Sequence, residues 1–144
     1  MPDMYNDNDA ILRPAAMGST TDALLIEALV LGERLRALML ALRDADPGPP
    51  ARLTLAAKEG ELTALIGYAV AWLYGRKAVE CGEIDADAAL APTWRLGRLE
   101  PMAVDLAPPG PLGQRLRELE RAVRAHHERL ARLDRLLDTP AGHA

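Results

Sequence analysis

The stretch Leu62–Gly75, LTALIGYAVAWLYG, contains no charged residue and lies inside a helix-like segment running from about Ala51 to Cys81. At about 100° per residue, Gly60, Ala64, Gly67, Ala71, Gly75 and Ala78 fall on one narrow arc of this hub helix, and Leu55, Leu62, Leu65, Ile66, Ala69 and Leu73 fall on the opposite one. A glycine inside a helix costs about 1 kcal/mol against alanine. Spending that three times on one face predicts a close approach by another helix backbone. Gly60, Ala64, Gly67, Ala71 and Gly75 are therefore the candidate helix-packing or dimer face. A helix apolar on every side is expected to be buried on every side.

Working outward, the chain of 144 residues has room for one domain with a real core. A net charge of −4 and a pI of about 5.4 argue against a general nucleic-acid or anionic-membrane binder, which needs a concentrated basic surface. The single cysteine, Cys81, cannot form an intrachain disulfide, which suits a reducing cytoplasm. The opening MPDMYNDNDA is polar and acidic, unlike a signal peptide, and the apolar run of the hub is too short to span a bilayer. A cytoplasmic protein is expected.

Residues 1–18 lack apolar periodicity and are expected to form a flexible arm; 19–138 form the helical domain and 139–144 a short tail. Ser19 with Asp22 offers a capping-box-like start to a first helix striped by Leu24, Ala28, Leu31, Leu35, Leu38 and Leu42. Ile26, Leu29, Val30 and Leu40 widen that stripe, which predicts contact with two neighbours. DADPGPP, residues 44–50, stops the helix and makes a stiff link suited to an antiparallel return. Gly82 ends the hub in a left-handed turn, Asp85 caps a short helix to about Ala91, and Pro92 stops it. Pro111 then opens a last helix on which Leu112, Leu116, Leu119, Val123, His126, Leu130, Leu133 and Leu137 keep four-three spacing. Its flanks alternate arginines with Glu118, Glu120, Glu128, Asp134 and Asp138, read as a solvated face.

The fold expected is all-α: a bundle of three long helices with a short extra helix in the long connection before the last one, forming a homodimer because three helices cannot cover both faces of the hub. The connection leaves open whether the last helix runs parallel or antiparallel to the hub. Trp94, Leu96, Leu99, Met102, Val104 and Leu106 give it apolar weight. Trp94 either pins this connection to the bundle or serves as a recognition anchor, and Arg95 and Arg98 beside it suit both roles, so the three are the candidate partner-binding residues.

Chemical motifs are absent from the sequence. The histidines are His126, His127 and His143; adjacent helical histidines diverge by about 100° and no second cluster accompanies them, so no metal is expected. His126 on the apolar seam reads as a hydrogen-bonded core or rim histidine, and Cys81 at a helix C-terminus as an inert thiol. Nucleophile elbows, phosphate loops and dinucleotide fingerprints are missing, so neither catalytic residues nor a cofactor are expected and the protein is read as a non-enzyme. A helix-turn-helix reading of YGRKAVECGEIDADAALAP fails because DADAALA offers mainly alanine and aspartate to DNA.

The hub section LTALIGYAVAWLYGRKAVECGEI, with Trp72, Leu73, Lys77, Ala78, Val79, Gly82, Glu83 and Ile84, resembles the regulator of CtrA degradation (RcdA-like) family of alphaproteobacteria. The closing ERLARLDRLLD, Glu128–Asp138, is similar to that family's last helix, and the first helix agrees in position and amphipathic character. Lys77 stands where the family commonly has arginine. The tail after Asp138 is a few residues long, where a longer flexible segment takes part in cargo handling in the family. The resemblance implies a dimeric helical bundle acting as an adaptor that helps deliver cell-cycle regulatory proteins to the ClpXP protease. Its implied partners are ClpX, a response regulator and protein cargo. The alternative from the residues alone is a dimeric helical scaffold or regulatory module with unrelated partners.

Overall fold

The computed structural model describes residues 2–100 and 107–139, with side chains in the first helix from Thr20 onward. Three α-helices carry the described chain: α1 (Pro2–Asp44), α2 (Pro49–Glu80) and α3 (Pro111–Leu136). No strand occurs among the described residues. The prolines act where a helix tolerates them. Pro49 and Pro50 open α2 after Gly48, and Pro111 opens α3 after Gly110, positions whose amide hydrogens would have no intrahelical acceptor. The hub ends as the sequence predicts: Gly82 takes φ 76°, its amide donates to the Val79 carbonyl, and the Glu83 amide donates to Ala78, closing the helix in a Schellman turn.

Two expected boundaries are corrected. α1 begins at Pro2, so its helical backbone runs through the stretch read as an arm and Ser19 lies inside the helix instead of capping it. The run Ala10–Leu12 and Ala15–Met17 consists mostly of good helix formers, and extending an existing helix is far easier than nucleating one. The short helix expected from Asp85 to Ala91 is instead a pair of 3-10 turns, Ala88–Leu90 and Pro92–Trp94. Pro92 does not stop a helix; it sits at the first position of the second turn. Met102, Val104 and Leu106 lie outside the described residues, as does most of the expected tail.

Inter-helix pairs fix the orientations. Thr21 meets Glu80, Asp22 meets Lys77 and Arg43 meets Glu59, so α1 and α2 are antiparallel. His126 reaches Leu24 and Arg115 faces Ala41 across a groove, so α1 and α3 are antiparallel as well. Lys58 meets Glu120 and Trp72 meets Asp134, offsets that make α2 and α3 parallel. A parallel neighbour demands a crossover. With 32 residues, α2 is roughly 48 Å long at its helical rise, so the chain between residues 81 and 110 must travel back along the bundle, which accounts for its length.

The core forms two contiguous packs. One joins Leu31, Leu35, Met39 and Leu42 of α1 to Leu55, Leu62 and Leu65 of α2 and Leu116, Leu119 and Val123 of α3. The other joins Leu24 and Ala28 to Ala69, Trp72 and Leu73, Leu130 and Ala131, with Leu96 of the connection inserted among them. Each fully buried leucine contributes about 1.5–3 kcal/mol relative to exposure. Between α2 and α3 lies a buried ionic cluster. Lys58 Nζ donates to Glu120 at 2.7 Å and Glu61 at 3.5 Å, while Arg124 bonds Glu61 and approaches Glu120. Glu120, Arg124, Arg129 and Asp134, read as members of a solvated face, are interhelical; Arg129 pairs with Glu27 of α1.

Candidate functional site

The connection is fastened along residues 94–97 by four different devices. The Trp94 ring lies on Gly75 of α2, where an added Cβ would come within 3.2 Å of it. Arg95 is locked to α3: its Nε donates to Asp134 Oδ1 at 2.9 Å, Nη2 to the Asp134 carbonyl at 2.8 Å, and Nη1 to Asp138 at 2.8 Å. Leu96 is buried in the core, and its amide also points at Asp134 Oδ1, at 3.4 Å. Gly97 lies under Tyr68, whose ring would be 2.6 Å from an added Cβ, and its carbonyl accepts a hydrogen bond from His127 Nε2 at 2.7 Å.

Asp134 is the centre of this arrangement. Its Oδ1 also accepts from the indole nitrogen of the buried Trp72 at 2.9 Å, so one carboxylate ties α2, α3 and the connection together. Hydrogen bonds that Arg95 donates to Asp138 and then to Asp134 raise its pKa, and Arg95 in turn holds the Asp138 carboxyl below its ordinary range. Sequence reading missed Asp134 because it counted every charge on α3 as solvated. The signal was there: Asp134 follows Leu130 by four residues and precedes Leu137 by three, inside the apolar stripe. Lys58 and Glu61 fall between Leu55 and Leu62 in the same way.

The three predicted partner-binding residues therefore divide. Arg95 is a latch whose guanidinium is occupied by α3. Trp94 is both pinned and presented: it is 38 % exposed on a rigid seat. Arg98 is exposed and has no ion-pair partner among the described residues. A cleft of about 280 Å³ opens beside Trp94, lined by Tyr68, Ala71, Thr93 and Gly97. Its floor includes Trp72, whose N–H is already satisfied.

The predicted small face of α2 is not covered by a helix of the same chain. A Cβ at Gly60 or Gly67 would meet nothing within 4 Å, and Gly75 is covered by Trp94 instead of a helix backbone. Ala71 is exposed and Ala64 half-buried. Nor does the second neighbour of α1 use up its wide stripe. Ile26 is 62 % exposed, Val30 51 %, and Leu29 and Leu40 are each 49 % exposed. Gly32 touching Ile66 marks the α1–α2 seam. Helical spacing places Leu29 and Leu40 on the outward side of that seam, next to Gly67 and Tyr74 on the outward side of α2. The two helices thus present one apolar outer face, bulky on α1 and hollow on α2.

The remaining chemistry is structural. His126 is buried, and its Nε2 donates to the Leu24 carbonyl at 2.9 Å, an acceptor that requires the proton on Nε2. Burial lowers its pKa. Cys81 is exposed just after α2. Among the described residues no group of His, Cys, Asp or Glu gathers as metal ligands would, and no helix is long and apolar enough to cross a membrane.

The fold and surface define a class: a three-helix bundle with a pinned crossover and an outward apolar face. The family model described as "Protein of unknown function (DUF1465)" matches residues 14–144, and the chain belongs to that family. No curated protein and no solved structure matches it.

Proposed function

We propose that this protein is a non-enzymatic cytoplasmic adaptor, a homodimer that assists delivery of cell-cycle regulatory proteins to the ClpXP protease together with a response-regulator partner. The observation that carries this reading is the presentation of Trp94. A half-exposed tryptophan seated on glycine and flanked by a latched Arg95 loses little freedom on binding, which is what a compact recognition anchor requires. The resemblance of the hub and closing helix to the RcdA-like family supplies the partners. Dimerisation is supported by the outer face of α1 and α2. Its knobs, Ile26, Leu29 and Leu40, and its hollows, Gly60 and Gly67, lie side by side on one chain, the self-complementarity that a two-fold interface uses.

The test is reconstituted ClpXP with the response regulator and candidate cargo, followed over time with and without this protein. Acceleration of cargo loss is expected, and Trp94→Ala combined with Arg98→Ala should weaken partner capture by about 1–4 kcal/mol with helicity intact. Equal rates with and without the protein, and no binding to ClpX or the response regulator, would remove the adaptor reading. The same outer face supports a second reading, a dimeric scaffold with unrelated partners; mass spectrometry of proteins co-purified from the native host discriminates the two.

A further inference from the structure

A groove of about 360 Å³ runs between α1 and α3, toward the opposite end of the bundle from Trp94, with Leu38 and Leu119 buried in its floor and Ala37 and Ala41 along one side. Arg34 stands on the α1 wall and Arg115 on the α3 wall. Both are exposed and neither has an ion-pair partner among the described residues. The one acid of the lining, Glu118, receives a hydrogen bond from Gln114 at 3.2 Å. Two cations from opposite walls, against the single acid Glu118, thus border an apolar trough and leave it net positive in a chain whose net charge is −4.

We propose that this groove docks an amphipathic helix of a partner protein whose apolar edge is flanked by carboxylates. Each element of the groove selects for that chemistry. Small residues four apart on α1, Ala37 and Ala41, let a guest helix come close. Ala37, Ala41 and the accessible edge of Leu38 meet apolar anchors spaced i, i+3 and i+4. Arg34 and Arg115 present planar guanidinium groups suited to paired hydrogen bonds with Asp or Glu on the two flanks of the guest. A basic guest would face like charge on both walls, and a polar guest would bury unsatisfied groups over the leucines. The guest would complete a four-helix arrangement, leaving the Trp94 surface free for a second partner. The site does not depend on what that surface binds.

The probe is a capped synthetic peptide of about five helical turns, with leucines at i, i+3, i+4 and i+7 and glutamates on both flanks, titrated by fluorescence anisotropy against the full chain. Saturable one-to-one binding that weakens with salt is expected. Arg34→Glu and Arg115→Glu should each reduce affinity about tenfold or more, the worth of a charged hydrogen bond. Trp94→Ala should leave it unchanged, which separates this site from the adaptor surface. Because both arginines are exposed and unpaired, unchanged circular dichroism is expected in the variants. The proposal falls if the peptide does not bind, if neither reversal weakens it, or if a glutamate-rich peptide without the leucine edge binds as well. It also falls if the reversals alter the protein's own association state, which would make the groove an interface between copies.

Discussion

The outward face of α3 and the joint outward face of α1 and α2 belong to helices of one bundle, yet they differ in chemistry. On α3, Arg121, Glu128, Arg132 and Arg135 face solvent while the leucine stripe is used within the chain. On α1 and α2, Ile26, Leu29, Leu40 and Tyr74 face outward beside bare glycines. A stripe of a/d width is covered by two neighbours; a stripe nearly twice as wide is not, because each helix of a three-helix bundle has only two neighbours. The excess width is therefore information about something outside the protomer. The inward charges add a second contrast: acids and bases at the α2–α3 seam are paired and wholly or partly buried, whereas Arg121, Glu128, Arg132 and Arg135 are exposed and make no ion pair among the described residues.

The largest expected effect tests that second contrast. Asp134→Ala removes the acceptor shared by Trp72, Arg95 and the Leu96 amide, leaving buried donors unpaired. It should cost about 3–5 kcal/mol in urea unfolding, whereas Glu128→Ala on the exterior should stay within about 0.5 kcal/mol. Comparable losses for the two would erase the distinction between inner and outer charge.

The next test strikes the apolar face. Leu29→Glu should raise the dimer dissociation constant by about a hundredfold, since a carboxylate would be buried without a partner; Arg121→Glu on α3 should leave it unchanged. Light scattering across a dilution series reads both. A wild-type protein monomeric at micromolar concentration would end the dimer reading outright.

A smaller effect sharpens the role of the hollows. Within the protomer Gly67 has open space, so Gly67→Ala should stabilise the isolated fold by up to about 1 kcal/mol through helix propensity. If a partner backbone lies there, the same change weakens association. Opposite signs in a concentration-dependent melting experiment are expected. Gains at every concentration would place the dimer contact elsewhere.

The mildest prediction concerns pH. His126 is held neutral by burial, so its folded pKa lies below the ordinary value of about 6.5. As pH falls through that value the unfolded chain takes up a proton that the folded chain resists, and stability declines. Midpoints of urea unfolding should drop between neutral and mildly acidic pH, and His126→Gln should flatten this dependence. An identical slope in the variant would assign the pH response to other groups.

By itself the sequence determined the three long helices, apart from where α1 begins, and their buried seams. Proline and glycine at 47–50, 82 and 110–111 set where α2 and α3 begin and where α2 ends, because their backbone limits act locally. The four-three spacing of α3 determined its buried edge, including His126. It also determined that α1 and α2 carry more apolar width than one chain can cover. What covers each part of that width was decided by tertiary structure. The parallel pairing of α2 with α3 depends on contacts such as Lys58 with Glu120 and Trp72 with Asp134, each more than sixty residues apart, and no local propensity encodes it. Only the fold brought Trp94 onto Gly75, turned Arg95 from a surface candidate into a latch on Asp134, and set Arg34 opposite Arg115. A helix's face is periodic in its own residues, whereas a helix's neighbour is a property of the whole chain.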